Sequence, residues 1–143
     1  MTERIRYQNT NGPIVIKDVV QPIGPKPVGL WYSVGTEWKD WCESESFNLH
    51  RFTISYSLTV NLDRILRITT VSELMSFTRR FGTSSFRGWN IDWPLVATLW
   101  DGIEIAPYQW SCRFEPDTLW YSGWDVASGC LWGQALEKYE VIQ

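Results

Sequence analysis

Along residues 51–62, RFTISYSLTVNL, apolar and polar positions alternate: Phe52, Ile54, Tyr56 and Leu58 against Thr53, Ser55, Ser57 and Thr59. A period of two puts each set on its own face and predicts a half-buried strand. RILRIT (64–69) continues in strand-like residues, and IRYQNT (5–10), IVIKDVV (14–20) and VGLWYS (28–33) are β-branched or aromatic in the same manner. Then the period changes. Thr70-Val71-Ser72-Glu73 has the form of a capping box and opens a helix to Phe81, with Leu74, Phe77 and Phe81 on its inner face.

Asp92 caps a second helix, WPLVATLW, with Pro94 in its first turn. Thr36 caps a third, short one, in which Trp38, Trp41 and Cys42 share a face at i, i+3 and i+4. DGIEIAP (101–107) turns into a strand, and TLWYSGWDVASGCLW (118–132) reads as one or two strands broken at Gly123 and Gly129. QPIGPKP (21–27) is a stiff extended connector and FGTSSFRGWN (81–90) a loop. Six to eight short strands with two or three short helices, and no long βαβ alternation, predict an α+β fold. The expected architecture is a compact pair of split antiparallel β-sheets with the helices at the edges. At 143 residues the chain is expected to form a single domain, 1–143, with a core of its own.

Composition changes this picture in one respect. The chain holds 10 Trp, 6 Tyr and 6 Phe, so few residues build much of the core, and Trp and Tyr bring polar handles with them. A net charge of −3 argues against an extended phosphate-gripping surface. Cys42, Cys112 and Cys130 are odd in number and form no C-x-x-C pair, so reduced, buried thiols are expected rather than a disulfide scaffold or a zinc ribbon. With His50 as the single histidine, a metal site is poorly supplied, and hydrogen bonding is the default role of that residue. No apolar run nears the roughly 20 residues of a membrane span, and the N-terminus lacks an apolar signal region. A cytoplasmic protein without a membrane partner is expected. Neither a phosphate-loop nor a dinucleotide glycine motif is present.

Several polar residues sit inside aromatic, glycine-containing strands: Gln8 and Thr10, Ser33, Asp101 and Glu104, Asp125 and Ser128. A carboxylate beside Trp124 is costly to bury unless it is paired or used, which marks Asp125; Asp101 has the ready excuse of an Asp-Gly turn. Trp31 and Tyr32 point to opposite faces of one strand, so at most one is core and the other is free to meet a ligand.

In chain order, YQNT (7–10), GLWYS (29–33) with EWKDWC (37–42), LWDGIEI (99–105) and GWDVASGCLW (123–132) resemble the motifs of the ADP-ribosyltransferase superfamily, in the form met among small phage and toxin proteins. KPVGLWYS with GWDVAS also resembles uncharacterised phage-encoded proteins. The resemblance implies split sheets with NAD, as substrate, in the cleft between them. Carried over, Gln8 and Thr10 hold the nucleotide, Gly29 belongs to the cofactor strand, Trp31 or Tyr32 stacks on nicotinamide, Ser33 supports the acid, and Asp125 is that acid. Gln8 stands where His or Arg is usual, leaving Arg6 as a neighbouring charge, and Asp125 stands where Glu is usual, leaving Glu104 as the fallback. The implied activity is mono-ADP-ribosylation of a protein or nucleic-acid target, with the acidic net charge favouring protein, in the host cytoplasm if phage-encoded. The alternative is a non-catalytic phage-encoded binding or inhibitor protein that docks a partner through exposed Trp and Tyr.

Overall fold

The computed structural model describes residues 6–10, 19–35, 54–83 and 89–141. Among them the strands are β1 (Arg6–Thr10), β2 (Ile23–Gly24), β3 (Leu30–Val34), β4 (Ile54–Val60), β5 (Leu66–Ile68), β6 (Ile91–Asp92), β7 (Gly102–Ile105), β8 (Ser128–Leu131) and β9 (Leu136–Val141). The helices are α1 (Val71–Phe81) and α2 (Trp93–Ala97), with 3-10 turns at Leu62–Arg64, Trp110–Cys112 and Pro116–Gly123. The fold is α+β. Seven strands form one sheet in the order β5-β7-β8-β3-β1-β4-β9, and β2 with β6 form a separate two-stranded ribbon. Every pairing is antiparallel except β5 with β7.

Sequence and fold agree where local chemistry is strong. Thr70 caps α1, its hydroxyl accepting from Glu73 N at 3.1 Å. Leu74, Phe77 and Phe81 are the buried face of α1, each contributing roughly 1.5–3 kcal/mol by leaving water. Asp92 caps α2 by accepting from Leu95 N, with Pro94 in the first turn.

Three regions differ from the sequence reading. Ile23–Gly24, within the segment read as a connector, is a strand that pairs with Ile91–Asp92. Residues 116–123 form 3-10 turns with a break at Thr118, not a strand, and they turn Trp120 and Tyr121 inward together. Alternation cannot do that to adjacent residues. Gly129 lies inside β8 rather than ending it. β9, LEKYEV, went unread because its side chains are almost all exposed and its pattern is polar; pairing with β4 makes it a strand. The predicted strand at 14–20 falls largely, and the Trp38–Cys42 helix and His50 wholly, outside the described residues.

Both faces of the sheet carry a core. On one face Ile68, Ile103, Ile105 and Cys130 pack with α1, α2 and the aromatic turns around Trp93, Trp120, Tyr121 and Trp124. On the other, Tyr32, Val34, Tyr56, Leu58, Val60 and Leu131 form a smaller cluster. Trp31 and Tyr32 therefore both pack, Tyr32 fully in the smaller core and Trp31 partly against the larger one. Three of the described tryptophans are wired into the core by their indole N–H groups. Trp93 Nε1 donates to Gly24 O at 3.0 Å, Trp120 Nε1 to Thr78 Oγ1 at 2.9 Å and Trp132 Nε1 to Trp100 O at 2.8 Å. Among the described residues, no helix is long and apolar enough to cross a membrane.

Candidate functional site

Four strands bring Arg67, Glu104, Gly129 and Tyr32 into one row. Arg67 stands opposite Glu104, Glu104 opposite Gly129, and Gly129 opposite Tyr32. Because residue 129 has no side chain, the Tyr32 ring crosses over it, and its hydroxyl donates to Glu104 Oε1 at 2.8 Å. Arg6 reaches the same carboxylate through two bonds, Nε to Oε1 at 2.5 Å and Nη2 to Oε2 at 3.0 Å. Arg67 Nε adds a third cationic contact to Oε2 at 3.3 Å. Glu104 is 2% exposed, so this carboxylate is held in the interior by donors that meet both of its oxygens. Burial, reinforced by the negative charge of Glu104, keeps the Tyr32 phenol protonated well above its ordinary value, which suits it to donate.

A second charged group lies against the larger core. Arg113 Nη2 meets Asp125 Oδ1 at 3.2 Å, with both side chains about a quarter exposed. Trp124, next in the chain, is buried among Trp31, Trp120 and Tyr121, with ring centroids 4.9, 6.1 and 5.9 Å away. The Lys26 ammonium stands 5.0 Å over the Trp31 ring. Among the described residues, Trp124 Nε1 and Arg113 Nε are buried donors without an acceptor.

Beyond Arg113 the surface is aromatic. Trp110 is 67% exposed and Phe114 77%. Neither is loose: Trp110 meets Tyr108 edge-on at 4.6 Å, and the Arg113 guanidinium lies 5.3 Å over Phe114. Tyr108 is itself buried, stacked on Tyr121 at 5.1 Å and donating its hydroxyl to the Trp124 carbonyl. The aromatic floor thus meets the Trp110 ring, and the Arg113 guanidinium lies near both Tyr108 and Phe114.

The residues expected to form one site are divided by the sheet. Trp31 lies toward the larger core with Asp125, Lys26 linking the two surroundings. Ser33 is two positions along the same strand, 2% exposed, and its hydroxyl donates to Gly35 O at 3.3 Å. Tyr32 faces the opposite side and is committed to Glu104. Gln8 and Thr10 are in β1, opposite Tyr56 and Ile54, and Tyr56 belongs to the smaller core. Gly29 has a packing reason to be glycine: a Cβ there would lie 2.9 Å from the Leu131 carbonyl carbon and 3.0 Å from Cys130 Sγ. The fallback pair fares differently, since Arg6 and Glu104 meet directly with Tyr32 beside them. The sequence reading missed Trp110, Arg113 and Phe114, although aromatic residues around a cation in YQWSCRF (108–114) gave a signal of an outward-facing turn. Comparisons with protein-family models, with curated proteins and with solved structures found no match to this chain.

Proposed function

We propose that this chain is a binding protein that docks a protein partner through the Trp110–Arg113–Phe114 surface. One observation carries the reading: two large aromatic side chains, 67% and 77% exposed, lie in one short turn with an arginine, Trp110 against the buried Tyr108 ring and Phe114 under the Arg113 guanidinium. Trp and Arg are the commonest interface anchors, and rings already held in place lose little freedom on binding. The acidic net charge of −3 favours a protein over a nucleic-acid backbone as partner.

The test is affinity capture from cell lysate with the wild-type chain, Trp110→Ser/Phe114→Ser, and Trp89→Ser as an exposed aromatic control. Retention of a defined partner by wild type and control, with loss in the double variant, supports the reading. Capture of the same proteins by all three chains defeats it.

A second reading, NAD-dependent mono-ADP-ribosyl transfer to a protein or nucleic-acid target, draws on the motif order and on Asp125, whose carboxylate is about a quarter exposed and supplies the negative charge that a cationic transition state needs. Arg6, Tyr32 and Glu104 are buried against one another and are the fallback group. Incubation with labelled NAD, beside Asp125→Ala and Glu104→Gln, tests it. Transfer lost in one variant names the acid, and no transfer or nicotinamide release from folded protein removes the reading.

A further inference from the structure

The large sheet ends at β9, which pairs with β4 on one side and, among the described residues, with no strand on the other. An open edge of this kind presents backbone N–H and C=O groups to any strand that can match it. Pairing with β4 is regular from Lys138 to Val141, and the register shifts beyond it, between Thr59 and Val60. Along the regular stretch the two faces differ. Tyr139 and Val141 stand opposite Leu58 and Tyr56, so they continue the apolar face of the smaller core, yet they are 44% and 62% exposed. Lys138 and Glu140 lie on the other face, opposite Thr59 and Ser57, exposed and 3.6 Å apart. Lysine on an edge strand ordinarily repels a second copy. Here a glutamate two positions on gives the same edge both signs.

We propose that β9 pairs with β9 of a second copy of this chain, antiparallel about a two-fold axis through Tyr139, so that the two sheets become continuous. In that register Lys138 of each copy stands opposite Glu140 of the other, Tyr139 opposite Tyr139, and Glu137 opposite Val141. Charge selects it. A two-fold that keeps like faces of the sheet together has to pass through a residue, because directly opposed side chains share a face. Through Glu137, Lys138 or Glu140 the axis sets like charges against each other, which is destabilising, and through Leu136 or Val141 no charge meets its opposite. Through Tyr139 it matches Lys138 with Glu140 on both sides of the axis. It also brings together two exposed tyrosine rings, each already meeting Tyr56 edge-on at 5.6 Å. The interface uses none of Trp110, Arg113, Phe114 and Asp125, and so goes beyond both functional readings above.

Sedimentation equilibrium of the full-length chain at low salt tests the assignment by charge reversal. Wild type is expected to show a monomer–dimer equilibrium. Lys138→Glu sets glutamate opposite glutamate and Glu140→Lys sets lysine opposite lysine, so each variant alone should dimerise at least about tenfold more weakly. Mixed in equal amounts, the two variants should associate with each other as tightly as wild type does with itself, because every reversed charge then meets its opposite on the other chain. Net charge cannot produce this pattern: the two substitutions move the value of −3 in opposite directions, yet both weaken self-association. Both side chains are exposed, and unfolding temperatures near wild type show that the variants are folded. A wild-type chain that stays monomeric to about 1 mM overturns the proposal and leaves the edge to a strand of another protein. So does a single variant that dimerises as tightly as wild type, or a mixture that associates no better than its components.

Discussion

The Tyr32 ring occupies the space that a side chain at position 129 would need. A Cβ on Gly129 would stand 2.7 Å from Tyr32 Cε1 and nearer still to Cζ and the hydroxyl. That absence lets the phenol cross β8 and reach Glu104 on β7. Gly129→Ala must push the ring away and is expected to cost about 1–3 kcal/mol, the usual range for overpacking a core. Urea denaturation measures it. In a Tyr32→Ala background the same change should cost markedly less, and equal costs in both backgrounds would refute the steric link.

Glu104→Gln leaves Arg6 facing a neutral amide in the interior. Removing one partner of a buried charged pair typically costs about 3–5 kcal/mol. Tyr32→Phe removes a single hydrogen bond to a charged acceptor and should cost about 1.5–3 kcal/mol. Denaturant midpoints of the two variants should fall in that order; a Glu104→Gln protein as stable as wild type would mean that the carboxylate does not organise the sheet.

Glu73 gives a pH signature. Hydrogen bonds from Thr69 hold its carboxyl below the ordinary value of 4.5. A carboxylate depressed in the folded state stabilises above its unfolded value, and that contribution is lost as pH falls through the lower, folded one. Glu73→Gln should therefore be less stable than wild type at neutral pH, with the gap closing below pH 4.5. A gap that is constant with pH would assign the effect to packing instead of charge.

The two described cysteines should be inert in the native state. Burial raises the thiol of Cys112 above its ordinary value, and raises that of Cys130 far more, with Lys26 opposing only in part. Thiolate is the reactive form, so in Cys42→Ser protein neither thiol should react with a disulfide reagent at neutral pH until denaturant is added. Rapid labelling of a native thiol would contradict the burial of Cys112 and Cys130.

Trp124 and Thr118 mark where legibility in the sequence changes. The capping box at Thr70–Glu73, the Asp92 cap and the alternation of Ile54–Val60 could be read directly, because each depends on neighbours within a turn or a strand. Residues 118–127 could not. Trp120, Tyr121 and Trp124 are buried together by 3-10 turns that the core selects, and the same residue types are also good strand formers.

What the sequence determined by itself is therefore local: the α+β class, the ends and inner face of α1, the aromatic character of the core and the suspicion attached to polar residues within apolar strands. The tertiary structure alone decided which of those polar residues meet. Arg6, Tyr32, Arg67 and Glu104 are separated by as many as 98 positions, and their contact depends on the register of five strands, where a shift of one residue would turn each side chain to the other face. Strand alternation already divided Trp31 and Ser33 from Tyr32 across β3; only the tertiary structure put a core on both faces, so that both rings pack and neither is left wholly free for a ligand.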